Sequence, residues 1–532
     1  MNARLKRMPR LVAACLITGI SSGAFVALFL TCAKVVMSFI FERYAHARAD
    51  GALTVVCIAT LALMCCFAAA IVQTLCPEAK GSGIPLAEGA ARGMLRVKWL
   101  RTAAALTVGS ILSFACGMPL GSEGPSVGVG GLLGDGIGRA AGLTYRERRF
   151  LMTGGSSAGL AAAFNAPLTG VCFAFEEAHR RFSPSILAAA FTAVAAAVAT
   201  SQAIFYGFWK IDYLADLGIN AGFTVLPFLE QATPTGVQTL MLGGIAVLLG
   251  AVCAAIGVGF NRAIDALGKL FSRIRSPLLR LLPAFAISTS FGLILPITVG
   301  SGEASLEELA VTASFGILTA ALVMRALATA TASGAGATGG LFLPMIAVGG
   351  LTGTLAAKVC VQCGLDATLA PNVIMVCVAA FFAASVRAPL TAITLTLELT
   401  ASFTNLLPTA IAVAVAAMIA GAARTEPLYE RMMEKMQAEA DAKNADRLQS
   451  ATVTGIISAD SPALGKRIRD VFWPYNSLVT ELKRGETDIV PDGETLLALG
   501  DVLTVKAEKV LPDEFAPEIE ELITPSRPTN TE

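Results

Sequence analysis

Gly121-Ser122-Glu123-Gly124-Pro125, running on to Gly130-Gly131-Leu132-Leu133-Gly134, is matched by Gly340-Leu341-Phe342-Leu343-Pro344, running on to Gly349-Gly350-Leu351-Thr352-Gly353. The two prolines stand 219 residues apart, and the Gly-Gly pairs keep that offset. Downstream, Ala166-Pro167-Leu168-Thr169 with Glu176 returns as Ala388-Pro389-Leu390-Thr391 with Glu398, at an offset of 222. Gly and Ser permit a tight, unwound backbone, and Pro suits the first turn of a helix. Helix breaks at matching places in two halves of a membrane chain point to a binding site between repeats near mid-membrane. The halves differ at one place that matters chemically: Glu123 in the first stands where Phe342 stands in the second.

The surroundings of these segments are those of a membrane protein. The chain has 532 residues, of which 55% are hydrophobic and 15% charged, against about 25% charged in a soluble domain. Charge-free runs at 11–33, 51–77, 102–122, 185–209, 236–261, 309–324, 371–386 and 399–423 include several long enough to span a bilayer, at roughly 20 apolar residues per crossing. Fifty glycines suit close packing of helices through small residues. The net charge of +1 and the lack of a basic stripe argue against a nucleic-acid partner. Arg4, Lys6, Arg7 and Arg10 before the first apolar run predict a cytoplasmic N-terminus. The twelve cysteines lie between Cys15 and Cys377 and read as small buried hydrophobes. The lone Cys360-Val361-Gln362-Cys363 and the two histidines, His46 and His179, make no metal or redox centre. No cofactor is expected.

Gly81-Ser82-Gly83-Ile84-Pro85 is a third broken-helix segment. Helix starts held in lipid leave backbone N–H groups without partners, which is tolerated where they line a polar cavity. With the helix dipole, such amides favour an anion. None of the three segments contains Arg or Lys. Amides and hydroxyls alone hold an anion loosely enough to release it, as conduction requires. Glu123 is the only charged residue between Arg101 and Asp135, and an acid in the membrane is a functional candidate by default. The amides that stabilise its carboxylate would also bind a free anion. The two should compete, and protonation of Glu123 would release it from the site.

GSGIP at 81–85, GSEGP at 121–125, GGLFLP at 339–344 and the paired A-P-L-T…E segments resemble the CLC family of chloride channels and chloride/proton antiporters over roughly residues 10–430. The resemblance implies an all-α polytopic membrane protein with inverted repeats of tilted, broken helices. It also implies a homodimer with a separate chloride pathway in each subunit, in the plasma (inner) membrane of a bacterium, with both termini cytoplasmic. By matching position, Ser82 would give its hydroxyl to the central anion, the amides of Leu341 and Phe342 would face it, and Tyr429 would close its inner side. Glu123 would be the external gating glutamate and Glu177 the inner proton-transfer glutamate of the family's antiporters. Glu176 has a repeat counterpart in Glu398 and reads as structural, whereas Glu177 faces Leu399 in the repeat. The family's common Arg before the gating Glu is Ser122 here, which departs from the usual outer mouth. Ser82 argues for chloride over fluoride or nitrate within the family.

The expected organisation is a membrane domain at 1–430, with a watery connection near 209–235 between its halves. A helical linker at 431–450 follows, then a small α+β unit at 451–510 and a flexible acidic tail at 511–532. Within the unit, Thr452–Ser458, Leu478–Leu482, Thr487–Val490 and Asp501–Lys506 are predicted strands and Pro462–Phe472 a helix. Arg484-Gly485 marks a hairpin turn. Ser461-Pro462…Gly465-Lys466…Arg484-Gly485…Leu499-Gly500-Asp501 resembles the TrkA C-terminal (RCK-C) regulatory domain, which implies a dimerising module for a small-molecule ligand. A passive chloride channel of the same family is the nearest alternative reading. Farther off are a cation transporter, which would favour carbonyl and carboxylate oxygens, and an intramembrane enzyme, for which HExxH, GxSxG and paired-Asp motifs are missing.

Overall fold

The computed structural model describes residues 2–180, 183–208, 232–302, 313–471, 473–474, 477–510 and 512–524. Most of the predicted connection at 209–235 therefore lies outside the described residues. Among those described, eight helices are long and apolar enough to cross a membrane, from Pro9–Ala47 to Ala367–Val386. Between them lie shorter helices, of which Gly83–Ala91 and Glu123–Ala140 start inside the protein, while Pro167–Phe173 and Pro389–Thr400 start at its surface.

Helix Glu123–Ala140 packs on helix Tyr145–Phe164 through glycine. A Cβ on Gly130 would lie 2.2 Å from the Gly155 carbonyl oxygen, and one on Gly155 would lie 2.1 Å from that of Gly130. Only glycine lets the two backbones approach this closely, as small-residue interfaces between membrane helices require.

The two halves are tied by backbone bonds that the repeat offset relates. Gly81 N–H donates to Gly336 O at 3.1 Å, and Gly300 N–H donates to Gly117 O at 3.2 Å. Gly81 and Gly300 are 219 residues apart, as are Gly117 and Gly336. At the centre, Gly121 and Gly340 form an antiparallel bridge, with N–H to O distances of 2.8 and 2.6 Å. Backbone polar groups unwound within a membrane must find partners, and here each half satisfies the other. Gly300-Ser301-Gly302 is thus a repeat of Gly81-Ser82-Gly83. In the second half the fully buried Arg325 donates to Ile297 O at 3.2 Å and Gly300 O at 2.7 Å. Its first-half counterpart is Leu106.

The C-terminal unit is a four-stranded antiparallel sheet in the order β1-β4-β2-β3. The strands are β1 (Gln449–Ile456), β2 (Leu478–Arg484), β3 (Thr487–Ile489) and β4 (Val502–Val510). The predicted hairpin closes with Arg484 opposite Thr487 and Gly485 at φ +61°. Three expectations are corrected. Residues 462–471 hold turns and one short 3₁₀ turn at Ile468–Asp470 rather than a helix, since Gly465 breaks the chain at φ +73°. The linker helix runs over Leu428–Lys443, three residues earlier than expected, and so carries Tyr429. The tail is not loose over its first part: Pro512–Ile523 is a helix, and its Phe515, Ile519, Leu522 and Ile523 pack on Leu503 and Val505 of β4. Among the cysteines, Cys32, Cys57 and Cys363 are exposed rather than buried.

Candidate functional site

Three helix starts meet at the Gly121–Gly340 bridge. Ser82 is the N-cap of Gly83–Ala91, with its Oγ accepting from Ile84 N at 3.4 Å. Accepting uses one lone pair and leaves the O–H as a donor. Glu123 opens the helix Glu123–Ala140 and Phe342 opens Phe342–Gln362, with Leu341 as its N-cap. The first amides of any helix lack intrahelical partners, so the bridge gathers three sets of such donors. The approach is close. A Cβ on Gly124 would lie 2.6 Å from Gly340 Cα and 2.9 Å from Ser82 Oγ. Ser82, Glu123, Leu341 and Phe342 are all buried.

Glu123 turns its carboxyl back over this meeting point. Its Oε1 accepts from Ser122 Oγ at 3.3 Å, and a Cβ on Gly340 would lie 3.0 Å from its Oε2. The acid of the first half thus lies against the helix start of the second. Phe342, its repeat counterpart, fills the opposite side with its ring. Around that ring stand Phe382, with centroids 4.6 Å apart, Phe164 and Phe173. Tyr429 stacks on it at 5.8 Å with planes 17° apart. The Tyr429 hydroxyl is buried with no hydrogen-bond partner among the described residues.

Glu177 is placed elsewhere. The helix that begins at Pro167 widens into a π-helical turn over Ala174–Ala178, closed by His179 N–H to Ala174 O at 3.1 Å. Such turns are rare and frequent at functional sites. The second half keeps an α-helix through Thr400. Glu176 leaves this turn toward Thr391 of the other half, and Glu177 points inward. There it meets Glu88, which sequence reading did not single out. Both acids are completely buried, and no oxygen of either carboxyl has a hydrogen-bond donor among the described residues. The helix that carries Glu88 packs on the π-helical turn that carries Glu177, and Arg92 at its C-terminal end donates to the Glu177 carbonyl. Two carboxyls brought together can bond only by sharing a proton. Arg92 stands 3.8 Å from Glu88 and Arg180 stands 3.7 Å from Glu177. Arg180 also pairs with Glu430, which is 27% exposed and leads outward to solvent.

Glu88 connects the two clusters, because it sits on the helix that Ser82 caps. Tyr429 connects them a second time: it stacks on Phe342, and its helix Leu428–Lys443 packs on the helix Gly83–Ala91 that carries Glu88. The sequence signal for Glu88 was its place as a lone acid in Ile84–Ala91, within a segment already marked by Gly and Pro.

The profile described as voltage gated chloride channel matches residues 64–421, and the TrkA-C domain matches residues 456–511. The chain is similar to the H(+)/Cl(-) exchange transporter ClcA of Salmonella typhimurium strain LT2, at 32% identity over 394 residues, covering 72% of this chain and 79% of that protein. It is similar to ClcA of Yersinia pseudotuberculosis serotype IB at 34% over 387 residues, covering 68% and 74%. The crystal structure of a slow cyanobacterial Cl−/H+ antiporter shares its fold with TM-score 0.71 and 27% identity, covering 81% of this chain and 99% of that one. With two bridged halves in the structure and that extent of likeness, the chain belongs to the voltage gated chloride channel (CLC) family.

Proposed function

We propose that this chain exchanges chloride for protons across a bacterial membrane. Relatives named as H(+)/Cl(-) exchange transporters support the two exchanged species. The observation that carries the mechanism is the Glu123 carboxyl lying against Gly340 at the meeting of the helix starts.

In this reading chloride takes the Ser82 hydroxyl and the amides of Leu341 and Phe342, with Tyr429 closing the inner side. Helix-start dipoles hold the anion without a full counter-charge, so it also leaves. Ionised Glu123 competes for the same donors. When Glu123 takes a proton its charge is gone, it swings from the amides, and chloride enters. The second proton station is the Glu88–Glu177 pair, reached from solvent past Glu430 and Arg180. Two buried acids without N–H donors are costly in the membrane, and a pathway for chloride alone has no use for them. Family membership supports a dimer of two such chains, each with its own pathway and with both termini cytoplasmic.

The test uses purified protein in liposomes with a chloride gradient, an impermeant pH dye and a potassium ionophore to clamp the voltage. Chloride-driven uphill proton movement is expected, and Glu123→Gln should abolish it. Chloride flux without proton movement would replace exchange by a passive pathway. Persistent pH-dependent exchange in Glu123→Gln would remove the gate assignment alone.

A further inference from the structure

One face of the span Gly236–Ser272 changes character partway along. Val237, Met241, Leu248, Val252 and Ala255 are exposed and recur at helical spacing, so they form a single outward stripe. The same stripe continues through Arg262, Ala266, Lys269 and Arg273, all of them exposed. From Val237 to Ala255 the helix rises about 27 Å at 1.5 Å per residue, close to the roughly 30 Å of bilayer hydrocarbon. The cations therefore begin where the stripe leaves the hydrocarbon.

The chain does not then run far into water. The next span, Pro277–Ile294, begins four residues after Arg273. Its Leu279 is 59% exposed, and Leu270, among the cations, is 53% exposed. Apolar side chains on both sides of the turn hold this corner at the headgroup layer, where basic side chains lay their stems on apolar surface and keep their charges in the polar zone. The charge is of one sign. Between Gly236 and Arg280 the single acid is Asp265, and it pairs with Arg431. Arg280 donates to Gln73 at 2.7 Å. Arg262, Lys269, Arg273 and Arg275 are exposed, and none has a carboxylate partner among the described residues.

We infer that this corner seats anionic phospholipid headgroups, with Arg262, Lys269, Arg273 and Arg275 around the phosphates and with Leu270 and Leu279 against the acyl region. Four or more cations immediately beyond a span suit an anionic membrane surface. The seat bears on the anion pathway through the adjoining face of the same helix end. There Asp265 pairs with Arg431, and Gly268 O accepts from Lys435 Nζ at 3.4 Å. Both of those cations belong to Leu428–Lys443, whose first turn carries Tyr429. Headgroup charge thus steadies the helix that closes the candidate site.

The test uses the full-length chain, stripped of lipid in detergent and titrated with dioctanoyl-phosphatidylglycerol while bound lipid is counted by native mass spectrometry. Binding should saturate, and dioctanoyl-phosphatidylcholine should bind at least tenfold more weakly. The variant with Arg262→Gln, Arg273→Gln and Arg275→Gln should lose about fivefold in affinity per charge, or ~1 kcal/mol each. Its thermal transition should match the wild type, because all three side chains are exposed. Arg275→Gln alone, in the turn between the helices, reads the same contact should that transition shift. Removing three charges from the C-terminal domain, by Arg467→Gln, Lys483→Gln and Lys506→Gln, should leave binding unchanged. Equal weakening in the two triple variants would mark attraction by net charge alone and overturns the inference. So does wild-type binding in the first triple variant, or equal binding of the two lipids. Displacement of phosphatidylglycerol by millimolar inorganic phosphate also overturns it, since the corner would then hold a soluble anion.

Discussion

The Glu176 carboxylate accepts from Thr391 N at 2.7 Å and Thr391 Oγ1 at 2.9 Å, so an acid of the first half caps a helix of the second. The second half returns the bond. Glu398 accepts from Thr169 N at 2.8 Å and Thr169 Oγ1 at 2.6 Å. Each carboxylate also takes a third bond, from the N–H of Leu390 and of Leu168 respectively, at 2.8 Å. Negative charge at a helix start is favourable, and charge-assisted bonds are the stronger kind. Glu176→Gln and Glu398→Gln should therefore each cost about 1–3 kcal/mol of stability, read as a lower unfolding temperature in detergent. The ratio of protons to chloride moved should stay as in the wild type. Loss of proton coupling at unchanged stability would place Glu176 on the proton route instead.

The neighbouring acid predicts the opposite pattern. Glu177 is fully buried and meets Glu88 rather than a helix start. Glu177→Gln should end proton flux and leave chloride flux. Glu88→Gln leaves one titratable member of the pair. Proton flux should fall well below the wild-type rate, with chloride flux kept. Proton flux at the wild-type rate in Glu88→Gln would show that the pair does not share the proton.

Much of this arrangement could be read from the chain, and the missing parts have physical causes. Gly-Pro breaks are local signals, so the repeated starts at Pro125 and Pro344 stood out, as did the pairing of Glu176 with Glu398. Gly300-Ser301-Gly302 carries the same offset but lacks the Pro that follows Gly81-Ser82-Gly83 at position 85, and it passed unnoticed. Glu88 is ordinary in its local sequence; only the π-helical turn at Ala174–Ala178, which local pattern does not announce, brings Glu177 to it. The helix Pro512–Ile523 has apolar Phe515, Ile519, Leu522 and Ile523 at helical spacing, but two prolines and an acidic composition favoured reading it as a tail. Helix-period patterning outweighed composition there.

Backbone proximity at the site can be tested directly. Gly124→Ala would press a methyl group to 2.6 Å from Gly340 Cα, a backbone atom that cannot turn aside. The halves must then part by some tenths of an ångström, and the donors of Ser82 and Phe342 lose their common focus. Overpacking of this kind costs about 1–3 kcal/mol, so chloride affinity measured by calorimetry should fall about tenfold or more. Gly421→Ala is the control, with nothing within 4 Å of the added methyl. Equal affinities in the two variants would mean that chloride binds away from the Gly121–Gly340 bridge.

The C-terminal domain has its own acid-sensitive lock. Asp501 is fully buried at the start of β4 and takes a two-point ion pair from Arg484, with Nε–Oδ1 at 2.8 Å and Nη2–Oδ2 at 2.8 Å. Ala498 N–H adds a bond at 2.7 Å. Burial pushes the Asp501 carboxyl up, but the Arg484 bonds and the Ala498 amide outweigh it and hold it below the usual range. A carboxyl lowered by folding binds its proton more weakly in the folded state. Its stabilisation is thus fully present above the unfolded value of about 3.9 and fades as pH falls through the lower folded value. Hydrogen exchange of β2 and β4 amides in the intact protein, corrected for intrinsic rates, should show protection falling at the acid end. Asp501→Asn should lower protection near neutral pH by about 1–3 kcal/mol and flatten that acid limb. An unchanged acid limb in Asp501→Asn would assign the pH response to another group, while loss of protection at every pH by the same amount would leave the ion pair structural but without a titrating role.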